Sequence, residues 1–250
     1  MRSVYIGAGL PYNAFGYPRI NTDGTVEFSY IAPNASNVSV FTDAGSLPLN
    51  SQGDGRWTGP QTLAPDIYRY VFLVDGIAAL DPDNLKLVSG YGFPFSQSYF
   101  EVPGDGSLAF QFREQVTYGD VRRVNYYSPV LKRMRQVHIC TPYEYDVKQG
   151  TGRRARWQHH PVLYLLGAAG ESDSQWSSFG RAGVIIQNLI EEDKVKPMIV
   201  VMPNSRIDEP GQVNPADVDI GDELLQAVIP YVDQHYRTRT APRSRALAVL

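Results

Sequence analysis

Three short apolar runs in the second half of the chain constrain the fold more than any other feature. They are "PVLYLLG" (161–167), "KPMIVVMP" (196–203) and "RALAVL" (245–250). Each is unbroken rather than alternating, the pattern of a strand covered on both faces. The stretches between them carry apolar residues at helical spacing. In "AGVIIQNLIEEDK" these are Val184, Ile185, Leu189 and Ile190; in "IGDELLQAVIPYVDQHY" they are Leu224, Leu225, Val228, Ile229 and Val232, with Pro230 placed to kink the helix. Strand, helix, strand, helix, strand predicts a parallel sheet with crossovers.

The first half has a different rhythm. "TVEFSYIAP", "NVSVFTD" and "YRYVFLVDG" alternate with period two, and turn signals such as "TDGT", "SQGDGRW" and "DPDN" separate them. Short strands at this spacing predict a β-sandwich. "VPGDGSLAFQFREQVTYGDV" (102–121) is read as a linker and the first strand of the next unit, and "RRVNYYSPVLKRMRQVHICTP" as two strands of a hairpin.

Composition excludes several classes. The net charge of -3 and the absence of a basic stripe argue against a nucleic-acid partner. No run approaches the ~20 apolar residues of a membrane span. The N-terminus, "MRSVYIGAGLPYNAFGY", lacks the apolar stretch of a signal peptide and gives no address. Cys140 is the single cysteine, so neither a disulfide framework nor a cysteine zinc cluster is expected.

Four blocks carry a resemblance. "LAPDIYRYVFLVDGIAALDPDN" (63–84) resembles the N-terminal early-set domain of a large esterase family, an immunoglobulin-like module related to carbohydrate-binding modules. "HHPVLYLLGAAGESDSQW" (159–176), "GRAGVIIQNLIEEDKVKPMIVVMPN" (180–204) and "ELLQAVIPYVDQHYRTRTAPRSRALAVL" (223–250) resemble its α/β-hydrolase domain. Feruloyl, acetyl-xylan and enterochelin esterases belong to this family. The resemblance implies an all-β immunoglobulin-like sandwich over 17–103, followed over 116–250 by the first part of a three-layer α/β-hydrolase domain. It implies carboxylic ester hydrolysis through a serine acyl-enzyme, with plant-polysaccharide or siderophore esters as substrates and no metal or organic cofactor. The alternative is a non-catalytic carbohydrate-binding protein, or a relic of an esterase.

In the family a strand like "RALAVL" enters a G-x-S-x-G elbow, with the acid and histidine later in the chain. No G-x-S-x-G occurs in these 250 residues. The expectation is therefore that the whole triad lies beyond Leu250, that the chain as given is inactive, and that its last strand leaves an open sheet edge prone to self-association. The oxyanion loop corresponds to Gly167, Ala168, Ala169 and Gly170, which depart from the family's His-Gly-small-Gly pattern; Ser205 also stands where glycine is common.

Among the residues bordering that loop, Glu171, Asp173 and Trp176 are pocket candidates, with packing an equal role for Trp176. Ser172 lacks the glycines of a nucleophile elbow and is read, with Ser174, Ser177 and Ser178, as a loop hydrogen-bonding residue. His138, His159, His160 and His235 are read as structural or solvated. Asp75, Asp81 and Asp83 fit turns better than a calcium loop. Trp57, Tyr68 and Tyr70 could stack on sugar, although Tyr68, Tyr70 and Phe72 share one strand face as core residues do.

Overall fold

Alternation in the first half is realised as antiparallel strands whose inward residues meet in one apolar cluster. The computed structural model describes residues 18–88, 96–146, 158–168, 171–207 and 219–249. They form a sheet-rich protein with few helices, divided into two compact units. The first holds the described residues up to Leu87 with Gln97–Val102; the second holds nearly all the rest.

In the first unit, β1 (Arg19–Ile20), β2 (Thr25–Ile31), β5 (Asn50–Ser51) and β6 (Arg56–Thr62) form one sheet, in the order β1-β2-β6-β5. The second sheet is built from β3 (Val38–Thr42), β4 (Gly45–Pro48), β7 (Asp66–Val74), β8 (Ile77–Ala79), β9 (Leu87–Val88) and β10 (Gln97–Val102). Its order is β4-β3-β7-β10-β9, with β8 paired to β7. Every second residue points inward: Val26 and Phe28, Val38 and Val40, Tyr70 and Phe72, Phe100 and Val102 share the core. Phe28 and Tyr70 both pack on Phe100, at ring separations of 5.8 and 5.4 Å.

Turn chemistry explains the three aspartates. Asp75 has φ +48° and precedes Gly76 at φ +84°, the backbone of a two-residue hairpin turn between β7 and β8. Its carboxylate also accepts from the Ser36 and Asn37 N–H groups at 3.0 and 2.8 Å. Asp81 accepts from the Asp83 N–H at 2.9 Å.

The second unit is built on a five-stranded mixed sheet. β11 (Val121–Ser128) and β12 (Arg133–Cys140) form the hairpin; β13 (Val162–Leu166), β14 (Ile199–Pro203) and β15 (Arg245–Val249) follow, and the order is β11-β12-β14-β13-β15. β13 runs parallel to both β14 and β15, while β12 is antiparallel to β14. Helix α1 (Ala182–Glu191) connects β13 to β14, and a helical run at 220–235 precedes β15. Val137, Ile139, Tyr164, Leu166 and Val201 pack against Leu224, Ala227, Val228 and Val232 on one sheet face. Cys140, Val200 and Met202 pack with Ala182 of α1, Ile186 and Trp176 on the other. β14 is buried at all five positions, which is why its sequence does not alternate.

Three expectations are corrected. First, β15 is not buried. Among the described residues it pairs with β13 alone, and Leu247 and Val249 are 57 % and 63 % exposed. Second, no strand lies among residues 103–120. This segment is irregular because the buried Asn188 of α1 takes over its backbone groups: Asn188 Nδ2 donates to the Ala109 and Gln111 carbonyls, both at 2.8 Å, and its Oδ1 accepts from the Tyr118 hydroxyl at 3.0 Å. Third, the second helix adjusts by winding. α2 (Ile220–Glu223) passes through a π-helical turn at Leu224–Val228 into α3 (Ile229–His235). Ile229 N–H reaches the Leu224 carbonyl five residues back, and Pro230, which has no N–H to give, sits at the first turn of α3, where that donor is not missed.

Candidate functional site

Ligands of open α/β sheets bind beyond the carboxyl ends of the strands. Here β13 ends into Gly167 and Ala168, and β14 ends into Asn204, Ser205 and Arg206. The two ends are tied together. Ser205 Oγ donates to the Gly167 carbonyl at 3.1 Å, and Ser205 N–H donates to the Glu171 carbonyl at 3.1 Å. Glu171 is buried, and its Oε2 accepts from the Ala168 N–H at 2.9 Å. The N–H that the sequence marks as an oxyanion donor therefore holds an internal carboxylate. A Cβ at Gly167 would meet that carboxylate, so a larger residue there would have to move the Glu171 side chain off the Ala168 N–H. Ala169 and Gly170 lie outside the described residues.

A second group fixes the end of β14 from the opposite face. Arg135 Nη1 and Nη2 donate to the Arg206 and Asn204 carbonyls at 2.7 and 2.6 Å. Its Nε lies 3.6 Å from Glu223 Oε1, and both side chains are buried. Glu223 also accepts from the Tyr126 hydroxyl at 2.6 Å and from Ser128 Oγ. The Tyr126 hydroxyl is pushed up to a value beyond the titration range by burial first and by Glu223 second, so it remains a donor. Neither Arg135 nor Glu223 is singled out by any sequence motif.

The third group was also not anticipated. His138, on the α1 face of β12, meets Ser177 of the π-helical turn Gln175–Phe179 through Nδ1. Its Nε2 lies 3.4 Å from Asp173 Oδ2, and the two side chains are only 12 % and 10 % exposed. Burial holds the imidazole below its ordinary range; Asp173 opposes this and Arg123, directly across on β11, adds to it. His138 is thus held between Asp173 and Ser177 rather than left to solvent. Asp173, a pocket candidate, joins it, while Trp176 packs against Gly180 and the α1-side core. Ser172 Oγ lies 2.9 Å from Ser174 Oγ, a loop hydrogen bond. The signal was invisible because 35 and 39 residues separate the partners, and periodicity gives a face but not a neighbour.

The remaining candidates sit in packed or half-buried settings. Tyr70 is fully buried and donates to Asp81 Oδ2 at 2.6 Å, so no ring face is open to a sugar. Tyr68 stacks on Phe100 at 5.7 Å, with its hydroxyl on the Ala64 carbonyl. Trp57 is half-buried, and its Nε1 donates to the Ala32 carbonyl at 3.1 Å. His160 is buried beside Tyr145, and His235 stacks on Tyr231 at 4.2 Å. Among the described residues no group of three or more His, Cys, Asp or Glu side chains could hold a metal ion, and no helix is long and apolar enough to cross a membrane.

No protein-family profile matches the chain. The chain is 28 % identical over 242 residues to an endo-1,4-beta-xylanase/feruloyl esterase of Xylanibacter ruminicola, a match covering 94 % of this chain and 32 % of that protein. It is similar to the enterobactin esterase FES of Shigella flexneri, solved in the presence of enterobactin, with a TM-score of 0.57 and 16 % identity over 90 % of this chain and 64 % of that one. A ferulic acid esterase of Anaeromyces mucronatus, in complex with ferulic acid, is 24 % identical over 57 % of this chain and 52 % of its own, with a TM-score of 0.47. The chain thus spans about a third of the curated relative, and it shares its fold with the enterobactin esterase.

Proposed function

We propose that this chain works in the hydrolysis of carboxylic esters, with a hydroxycinnamoyl ester of feruloyl type as its substrate. One observation carries the reading: 94 % of the chain aligns with a protein named as a xylanase/feruloyl esterase. The fold shared with an enterobactin esterase supports ester chemistry on the same scaffold. In this reading the first unit is an immunoglobulin-like early-set sandwich, corresponding to 17–103, and the second is an α/β-hydrolase domain, corresponding to 116–250. The substrate's carbonyl would lie at the carboxyl ends of β13 and β14, where Gly167 and Ala168 turn. A ligand oxyanion there must displace Glu171 from the Ala168 N–H. The open edge of β15 supports self-association as a further property.

The purified chain is incubated with methyl ferulate, p-nitrophenyl acetate and a catecholate trilactone, and acid release is followed by chromatography. Ferulate release above the buffer rate is expected of this reading, against the inactivity that the missing G-x-S-x-G leads the sequence to predict. Release from none of the three substrates would sink the proposal.

A further inference from the structure

We propose that Glu171 is a built-in inhibitor of the turn that follows β13. Its carboxylate occupies the Ala168 N–H as the carboxylate of a bound acid would, so an anionic ligand enters only by exchange with it. The inference rests on the ester-hydrolase reading for the class of ligand, a carboxylic acid or the oxyanion formed from its ester, and on the geometry of the turn for its residues.

The competition follows from valence. A carboxylate oxygen only accepts, and a backbone N–H has one hydrogen to give. Glu171 Oε2 takes that hydrogen from Ala168 at 2.9 Å. A ligand oxyanion would make the same charge-assisted bond to the same donor, so the two cannot hold it together. Glu171 and Ala168 are 3 % and 6 % exposed, and water therefore does little to screen the bond.

The backbone keeps the inhibitor in place. Glu171 N–H donates to the Ala168 carbonyl at 3.0 Å, so the residue that blocks Ala168 is also anchored to it. Ser205 ties both sides of the turn to the end of β14, through its N–H to the Glu171 carbonyl and its Oγ to the Gly167 carbonyl. Gly167 leaves open the space that the carboxylate fills, since a Cβ there would meet Oε2.

This reciprocal pair resembles a capping box, in which a glutamate closes a turn as a brace. Two observations favour an inhibitor. The donor stands at the carboxyl end of a central strand, where ligands of open α/β sheets bind. A neutral side chain would also brace the turn, whereas burying a carboxylate is costly unless its surroundings favour negative charge. The buried Glu171 therefore marks this end of β13 as a place that accepts an anion. A brace and an inhibitor also differ in sign: removing a brace weakens whatever binds beside it, and removing an inhibitor strengthens it.

The test uses the whole chain and ferulate, followed by titration calorimetry. The neutral control is p-vinylguaiacol, which is ferulic acid without its carboxyl group. A minor open state is commonly populated at about 10 % or less, and apparent affinity falls by that fraction. Glu171→Ala should therefore bind ferulate about 10-fold tighter than the parent, or more. Glu171→Gln keeps the shape and loses the charge, and should fall between the two. The control should bind all three forms alike. In protein carrying isotope-labelled alanine, the Ala168 amide resonance should move upfield in Glu171→Ala and return downfield as ferulate is added. Should Glu171→Ala not fold, Glu171→Gln decides the sign. Ferulate binding that is absent, unchanged or weaker in the folded variants overturns the inhibitor, as does a gain that p-vinylguaiacol shares. Ferulate release from methyl ferulate by the parent, with no tighter binding in the variants, would defeat the inhibitor and leave the ester-hydrolase reading standing. Tighter ferulate binding in the variants, with no release by any form, would do the reverse.

Discussion

His138 and His160 are both held below the ordinary imidazole range, in each case chiefly by burial. The sign of the consequence is fixed by linkage. As pH falls through about 6.5, the unfolded chain takes up protons that the folded chain refuses. The stability these groups contribute is therefore complete above that pH and is lost as pH falls toward their folded values. The urea midpoint should drop between pH 7 and pH 5, and His138→Gln should flatten part of that drop. A flat profile over this range would contradict the burial argument. A second residue-scale prediction concerns Tyr70, whose hydroxyl donates to the buried Asp81 at 2.6 Å and accepts from Asn84 Nδ2 at 3.0 Å. Tyr70→Phe leaves both partners short and should cost about 1–3 kcal/mol in chemical denaturation. Alternation placed Tyr70 inside without any structure. Its partner Asp81 was legible as a turn residue and not as an acceptor, because a hydrogen bond across eleven residues has no sequence period.

At the scale of elements, the hairpin β11–β12 and the helical run at 220–235 are coupled by a buried ion pair. Arg135 and Glu223 are each almost wholly enclosed, and Arg135 spends its remaining donors on the carbonyls that follow β14. Breaking the pair from one side strands a buried charge, at about 3–5 kcal/mol. Glu223→Ala should therefore destabilise by that order. Arg135→Met combined with Glu223→Met should recover much of the loss, because the charges leave together. The two outcomes separate by urea unfolding. Hydrogen exchange should also show faster opening at Asn204 and Arg206 in any variant lacking Arg135. The elements themselves were largely legible: unbroken apolar runs became β13 and β14, and helical spacing became α1. The pair was not, since Arg and Glu on amphipathic segments ordinarily face water. The π turn before Pro230 was visible as a disturbance, but its form depends on which carbonyls the neighbouring turn can serve.

At the scale of the whole molecule, the sheet of the second unit has an unpaired side at β15 among the described residues. β15 gives five register pairs to β13, and among the described residues no strand lies on its other side. Residues 246–249 read Ala-Leu-Ala-Val, without the lysine, proline or bulge that usually blunts an edge. The pattern predicted a covered strand because an unbroken apolar run signals two buried faces; burial, however, depends on what stands beside a strand, which its own residues do not encode. With Leu247 and Val249 more than half exposed, an unpaired backbone ladder is flanked by apolar side chains. Sedimentation velocity should accordingly show association that grows with protein concentration. Leu247→Lys with Val249→Lys should return the chain to a monomer at the same concentrations. Because both side chains are exposed, each change should alter stability by no more than about 0.5 kcal/mol, so a preserved melt together with lost association assigns the effect to the edge. Association that survives both lysines would place the contact elsewhere on the surface.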